Sequence, residues 1–167
     1  MKNIILIGMP GCGKSSLAKI LAQKFSMNLI DTDKQIENDE NKSISKIFSD
    51  NGEKYFRELE RQAIKKIPIN KNLIVALGGG APIYKDNAKI IKNLGTVIYL
   101  FCSEKTILKN LSSDYKRPVI QNKPAQIKNL LAKRNLIYLN CCNFVLNCND
   151  KSLNEIAEKL SMLRSKQ

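Results

Sequence analysis

Residues 8–15 of this chain read GMPGCGKS. This stretch has the spacing GxxxxGK[ST] and lies between an apolar run at Asn3–Ile7 and a helical pattern that begins at Lys14. Glycines in such a turn let successive backbone N–H groups converge on phosphate oxygens, and the positive end of the following helix strengthens that field. The stretch therefore predicts a phosphate-binding loop, and hence a protein that binds a nucleoside triphosphate.

The loop residues are expected to divide the work of binding. The Lys14 ammonium would reach the β- and γ-phosphates, where it has a catalytic role, and the Ser15 hydroxyl would ligate Mg²⁺. The other predicted nucleotide contacts are Gly11, Cys12, Gly13 and Ser16. A thiol at Cys12, near a helix N-terminus and a lysine, is expected to ionise easily, with a buried and inert thiol as an equal alternative.

Outward from the loop, short β-branched runs alternate with helical patterns. Strands are predicted at Asn3–Ile7, Met27–Ile30, Leu73–Ala76, Thr96–Phe101 and Phe144–Leu146. Helices are predicted at Lys14–Lys24, Gly52–Lys66, Lys105–Leu111, Ala125–Leu139 and Ser152–Leu163, the last opened by a capping box. This alternation favours a three-layer α/β fold, with helices on both faces of a parallel sheet. The length, 1–167, is that of a single domain.

The charge is strongly basic, with 28 basic residues against 15 acidic ones and a net charge of +13. Nucleic-acid binding is a weak alternative, because the lysines are scattered and no basic run exceeds two residues. Such a field would still attract small anionic substrates. The chain has no histidine, so any proton transfer must fall to a carboxylate, a lysine or a tyrosine.

The cysteines and the apolar runs indicate the compartment. The five cysteines are an odd number and have no CxxC spacing, which argues against a disulfide framework and against a zinc site. Reduced thiols fit the cytoplasm. The apolar runs are too short to cross a bilayer, and the N-terminus does not read as a signal peptide. We expect a cytoplasmic protein without a membrane or nucleic-acid partner, working as a monomer.

Two acids follow the second predicted strand, where the chain reads LIDTDKQIE. Asp31 and Asp33 would lie at the carboxyl edge of the sheet, the edge at which α/β folds bind ligands. A helix N-cap followed by a turn acid explains the pair equally simply. Beside a phosphate loop, one carboxylate could hold Mg²⁺ through water and the other could accept a hydroxyl proton.

A third group of candidates is cationic. Arg57, Glu60 and Arg61 share one face of a predicted helix, which is either a site or a solvated ion-paired surface. Arginine is rare here, at five of the 28 basic residues. In a chain that uses lysine by default, an arginine suggests a need for its planar fork, for carboxylate or phosphate. Residues 76–82, ALGGGAP, place three glycines after a strand, where something must approach the backbone closely.

Taken in order, these motifs resemble the shikimate kinase family. The resemblance rests on GMPGCGKSS, LIDTD, FRELE at 56–60, ALGGGAP, KRP at 116–118 and AKR at 132–134, and it covers roughly residues 1–140. It implies a P-loop kinase fold with a five-stranded parallel sheet in the order 2-3-1-4-5. It also implies a mobile lid at about 112–124. The last 25 or so residues add little to the match.

The resemblance implies a reaction, transfer of the ATP γ-phosphoryl group to the shikimate 3-hydroxyl, and it implies roles. Asp33 would bind the shikimate hydroxyls and act as base, while Arg57 and Arg134 would clamp the carboxylate. Arg117 would close over the phosphates as a catalytic and nucleotide-binding residue, and Asp31 would support Mg²⁺. The pocket would be completed by Gly78, Gly79 and Gly80 as its floor, where a Cβ at Gly79 or Gly80 would fill the ring's volume, and by Phe48 and Phe56.

The chain departs from the family at Asn110, where many members have an arginine that stacks on adenine. Ser16, where threonine is usual, is a smaller change. Two rivals remain at this point: a related kinase of gluconate or of a nucleoside monophosphate, and a nucleic-acid-binding module.

Overall fold

The computed structural model describes residues 2–112 and 124–164. Five strands form one sheet in the order β2-β3-β1-β4-β5. They are β1 (Asn3–Ile7), β2 (Asn28–Asp31), β3 (Leu73–Ala76), β4 (Gly95–Phe101) and β5 (Phe144–Asn147). Every neighbouring pair is parallel. The predicted class and strand order are confirmed, and each predicted strand lies within one residue of its observed bounds.

In the part of the chain that the structure describes, seven α-helices cover the sheet. They are α1 (Lys14–Phe25), α2 (Thr32–Glu40), α3 (Ile44–Lys65), α4 (Asn87–Leu94), α5 (Glu104–Ser112), α6 (Pro124–Cys141) and α7 (Leu153–Arg164), with a 3-10 turn at Ala81–Ile83. Helix α3 is two helices joined at Gly52, whose φ of 79° only glycine adopts at low cost. The sequence predicted only its second half, and it did not predict α2 or α4.

The central strands are the most hydrophobic because both faces of the sheet are covered. Side chains on β1 and β3 such as Ile5, Ile7, Ile74 and Val75 have no exposed surface. The helix at the C-terminus begins with the predicted capping box, in which Ser152 and Glu155 exchange side-chain to backbone hydrogen bonds. Within the described ranges, no helix combines the length and apolar character needed to cross a lipid bilayer.

Since all five strands run the same way, their carboxyl ends meet at one edge. The loop 8–13 leaves β1 there, Asp31 ends β2, and the glycine run 78–80 follows β3. Neighbouring positions in the sheet thus bring together three motifs that lie about 20 to 70 residues apart in the chain.

Candidate active site

The loop between β1 and α1 turns its lysine inward. The Lys14 ammonium donates hydrogen bonds to the carbonyl oxygens of Gly8 (2.9 Å) and Met9 (3.0 Å), and its side chain is largely buried. Gly13, in the left-handed region at φ 88°, is the N-cap of α1 and supplies no side-chain cap. The first N–H groups of the helix therefore remain available to an anion.

A cavity of about 900 Å³ opens above this loop. Its walls include all six predicted nucleotide contacts of the loop: Gly11, Cys12, Gly13, Lys14, Ser15 and Ser16. Asn110 lies in the same wall, where its side chain donates a 2.8 Å hydrogen bond to the Gly11 carbonyl oxygen. The cavity thus has the anion-binding end of a nucleotide site, with a neutral amide at the position where the family pattern has an arginine.

The far wall of this cavity was missed by the sequence analysis. It is built from the ends of β4 and β5, from α5 and from the start of α7, including Cys102, Thr106, Cys148, Asp150, Lys151, Ser152 and Leu153. The resemblance was drawn over residues up to about 140, so it did not point to the part of this wall that lies beyond them. The capping box at Ser152 was the available signal, because it fixes where α7 begins.

The reactive thiol predicted at Cys12 is not supported. The side chain is 4% exposed. Burial is the largest influence and raises the pKa of the thiol, while the Lys14 ammonium 3.8 Å away acts against it. The structure therefore favours the alternative of a buried, inert thiol.

The end of β2 and the start of α2 hold the two predicted acids. Asp31 is the N-cap of α2, and its carboxylate accepts a hydrogen bond from the Lys34 N–H (3.3 Å). Asp33 lies in the first turn of the same helix. Between them, the Thr32 hydroxyl donates to the Ala76 carbonyl oxygen and accepts from the Gly78 N–H. This bridge fixes the acids relative to the glycine run.

A second cavity, of about 700 Å³, lies on the other side of these acids. Its lining includes Arg57, Arg134, Gly79, Gly80, Phe48 and Phe56, which are residues that the resemblance assigns to the acceptor. The phenylalanine rings lie 4.7 Å apart and also belong to a small core cluster under α3. Ser15, Asp31 and Asp33 line both cavities. A group bound in one cavity can therefore meet a group bound in the other at these three residues.

The protein's own packing also requires the glycine run. A Cβ at Gly79 would lie 2.7 Å from the Pro10 ring, and a Cβ at Gly80 would overlap the Arg57 guanidinium. At Gly78 it would meet the carboxyl oxygens of Glu60 and Asp33. The protein's own side chains therefore exclude a Cβ at all three positions, and the predicted approach of a ring to Gly79 and Gly80 stays a prediction. The run lets the phosphate loop and the acceptor residues pack directly on the end of β3.

Arg57 is held by two glutamates of its own helix. Its Nη1 lies 2.5 Å from Glu60 Oε2, and its Nε and Nη2 donate to Glu53 Oε1 at 3.1 and 2.9 Å. Arg61 points elsewhere: it pairs with Asp86 and donates to Asn87 at the start of α4. The three residues predicted to share one face therefore point to two places. Arg57 and Glu60 line the second cavity, whereas Arg61 lies between α3 and α4.

Glu60 is a buried acid that the sequence analysis did not place in the site. Its side chain is 1% exposed. Burial is the largest influence and raises its pKa to about 7, although Arg57 and Arg134 favour the ionised form; Asp33 adds to the rise. The FRELE motif contained this residue, but its burial depends on packing that no local pattern reveals.

Tyr138 is a second residue that the sequence did not reveal. Its hydroxyl donates a 2.6 Å hydrogen bond to the Gly79 carbonyl oxygen, and burial raises its pKa. Arg134 precedes it by one helical turn on α6. The bond ties the helix that carries Arg134 to the glycine run.

The donor groups at the junction of the cavities fit the Mg²⁺ that the family implies. The Ser15 hydroxyl and the Asp31 carboxylate are hard oxygen ligands, and Mg²⁺ is usually held by one or two such groups together with phosphates and water. Within the described ranges, no cluster of three or more histidine, cysteine or acidic side chains could hold a metal by itself. Arg117, and most of the predicted lid, lie outside the described residues.

Comparisons with known proteins show which family the chain is similar to. The family model for "Shikimate kinase" matches residues 10–163. A shikimate kinase of Sulfurihydrogenibium sp. is 39% identical over 160 residues, covering 96% of each chain, and one of Persephonella marina is 40% identical over 138 residues, covering 83% of this chain and 84% of the relative. The solved structure of an Acinetobacter baumannii shikimate kinase in complex with shikimate superposes with a TM-score of 0.93 at 28% identity, covering 99% of this chain and 94% of the other.

Proposed function

This chain belongs to the shikimate kinase family, and we propose that its two cavities carry out that family's reaction, with ATP in the cavity over the phosphate loop and shikimate in the cavity of Arg57 and Arg134. The product would be shikimate 3-phosphate, and the reaction would be a step of aromatic amino-acid biosynthesis. The observation that carries this proposal is the wall shared by the two cavities, formed by Ser15, Asp31 and Asp33. Direct transfer requires the donor phosphorus and the acceptor oxygen to meet, and this wall offers the place.

On the donor side, the loop residues would hold the triphosphate through backbone N–H groups and the N-terminus of α1. The Lys14 ammonium, already directed into the loop, would stabilise the charge that builds on the γ-phosphate oxygens. A bound Mg²⁺, held by Ser15 and Asp31, would supply further charge neutralisation on the phosphates. Arg117 is proposed as a third cation, on the resemblance alone.

On the acceptor side, the carboxylate of shikimate would bind Arg57 and Arg134. Arg57 is oriented in advance by Glu53 and Glu60, which take three of its five N–H groups and leave one on each terminal nitrogen. The rings of Phe48 and Phe56 would cover the apolar part of the substrate. This arrangement favours a rigid, flat ring that carries a single carboxylate.

The chemistry is a direct in-line displacement. The 3-hydroxyl oxygen of shikimate forms a bond to the γ-phosphorus as the bond from that phosphorus to the bridging oxygen of ADP breaks. The hydroxyl proton passes to the Asp33 carboxylate, which lies in the wall between the cavities. With no histidine in the chain, a carboxylate at this position is the natural base.

The test is a coupled assay of ADP formation with shikimate, gluconate or AMP as acceptor, with MgATP as donor. We expect turnover with shikimate alone, because of the three only shikimate carries both a carboxylate and hydroxyl groups on one rigid carbon ring. Equal or greater turnover with gluconate or AMP would overturn the assignment of the second cavity. Loss of turnover when Mg²⁺ is chelated, and recovery on its return, would support the proposed metal.

The remaining expectations concern the protein's setting. No nucleic acid takes part in the proposed reaction, and the monomeric state and the cytoplasmic location stay predictions. Sedimentation analysis at several protein concentrations, with and without substrates, measures the first of these directly.

A further inference from the structure

The second cavity, which we call the acceptor cavity, is acidic for a site that would bind a carboxylate. Among the described residues, its lining has five acidic side chains against three basic ones: Asp31, Asp33, Glu37, Glu53 and Glu60 against Lys34, Arg57 and Arg134. The whole chain carries +13, so this excess of acid is local. An arriving carboxylate gains from the arginines but is repelled by the acids, and the balance improves if one acid is neutral.

Glu60 is the acid that the geometry selects. Its Oε2 pairs with Arg57, whereas its Oε1 is buried and has no hydrogen-bond partner within the described residues. An ionised oxygen that is buried without a donor is costly, because it loses its hydration and receives nothing in return. A proton on Oε1 removes that cost and turns the oxygen into a donor.

The surroundings of Glu60 have both signs of charge. Arg57 lies on its own helix, Asp33 approaches from α2 and Arg134 from α6. Lys85 and Asp86, near the start of α4, are paired with Glu58 and Arg61. The Oε1 of Glu60 and the Oδ1 of Asp33 crowd the same point beside Gly78. With burial, this proximity brings the pKa of Glu60 to about 7, where a further negative charge can decide its state.

We propose that Glu60 takes up one proton from solvent as the carboxylate of shikimate docks on Arg57 and Arg134, so that acceptor binding is coupled to protonation. This inference rests on the proposed function, since it requires a carboxylate ligand in this cavity. The sign follows from linkage: binding that takes up a proton is tightest below the pKa of the free group and weakens as pH rises above it. Glu60 is thus a positioning residue whose neutral form accommodates the substrate.

The direct measurement is calorimetric titration of shikimate into the whole chain, in two buffers with different heats of ionisation at each pH: HEPES and Tris at the higher pH, acetate and MES at the lower. At about pH 8, where free Glu60 is mostly ionised, we expect uptake approaching one proton per site, and at about pH 5.5 uptake close to zero. The dissociation constant should rise nearly tenfold per pH unit above about pH 7. Binding without proton uptake at pH 8 would overturn the inference and leave the proposed function intact.

Variants assign the proton to its residue. Glu60→Gln keeps the shape and removes the titration, so uptake should vanish and the dissociation constant should stay flat from about pH 6.5 to 8.5. Glu58→Gln, on the same helix but paired with Lys85, is the matched control and should keep the wild-type pH dependence. Uptake that persists in Glu60→Gln would overturn the assignment. If shikimate gave no binding heat at either pH, the acceptor cavity itself would be wrongly identified, and the inference would fail with it.

Discussion

The hydroxyl of Tyr138 donates a hydrogen bond to the Gly79 carbonyl oxygen, and this bond fixes α6 against the end of β3. Arg134 lies four residues earlier, on the same side of the helix. The position of one proposed substrate clamp therefore depends on a buried tyrosine that need not touch the substrate.

Replacing this tyrosine by phenylalanine tests the dependence. Tyr138→Phe leaves the half-buried Gly79 carbonyl without this donor, which should cost about 0.5–1.5 kcal/mol of unfolding free energy, measured by urea denaturation. The KM for shikimate should rise roughly three- to tenfold, as Arg134 loses part of a charge-assisted bond. Tyr99→Phe is the control, because it removes a half-buried hydrogen bond to Asn135 on the same helix (2.9 Å). An unchanged KM for shikimate in Tyr138→Phe would show that this hydrogen bond does not affect substrate binding.

Asp33→Asn should reduce kcat by roughly 10²–10⁴, the usual contribution of a positioned base, with the fold and nucleotide affinity preserved. Asparagine keeps the shape of the side chain but cannot accept the hydroxyl proton. Asp39→Asn, an exposed position on the same helix, is the control. Steady-state kinetics and nucleotide titration give both readouts, and near-normal turnover in Asp33→Asn would remove the residue from proton transfer.

Replacement by lysine should have different effects at the two arginines of α3. Arg57→Lys keeps the charge but loses the fork that meets Glu53, Glu60 and the substrate carboxylate. At about 1.5–3 kcal/mol for a charge-assisted bond, kcat/KM for shikimate should fall roughly ten- to a hundredfold, with ATP affinity little changed.

Arg61→Lys is the matched change, and its effect should be on stability. It weakens the link to Asp86 and Asn87 at α4, which lies outside the cavity, so we expect about 1 kcal/mol of lost stability and normal kinetics. The opposite pattern, with kinetics damaged at Arg61 and spared at Arg57, would contradict the division of this helix face.

Alanine substitutions in the glycine run should affect the KM for ATP and the KM for shikimate separately. Gly79→Ala pushes a methyl group against the Pro10 ring of the phosphate loop, so its main kinetic effect should be a higher KM for ATP. Gly80→Ala pushes it into the Arg57 guanidinium, so the KM for shikimate should rise instead. Gly80 has φ −89°, which alanine adopts freely, so the effect there is steric. Equal changes in both KM values for both variants would show general loosening of the site.

Cys12 should react slowly with iodoacetamide. It is buried and its pKa is raised, whereas Cys142 is partly exposed. Peptide mass spectrometry over time should find Cys142 alkylated first, with activity retained during that phase. Rapid labelling of Cys12 with loss of activity would restore the reactive-thiol hypothesis.

Much of the scaffold could be predicted from the sequence because its signals are local. A phosphate loop needs glycines and a lysine at fixed spacing, and a buried parallel strand needs a short β-branched run, so β1, β3 and α1 were placed within a residue. Helix α2 was missed because its sequence, TDKQIENDE, buries only Thr32 and Ile36. It forms by packing on α3, and such a helix has no clear apolar period to detect.

The site needed the tertiary structure. Spacing alone placed Arg57, Glu60 and Arg61 on one face, but neighbours 26 residues further on turn Arg61 to α4. The glycine run predicted a close approach, and only the packing identified Pro10, Arg57, Glu60 and Asp33 as the groups that approach. The reason is physical: a residue's type and spacing fix what it can do locally, whereas its burial, its partners and its pKa are set by groups that are distant in sequence and meet only in the folded chain.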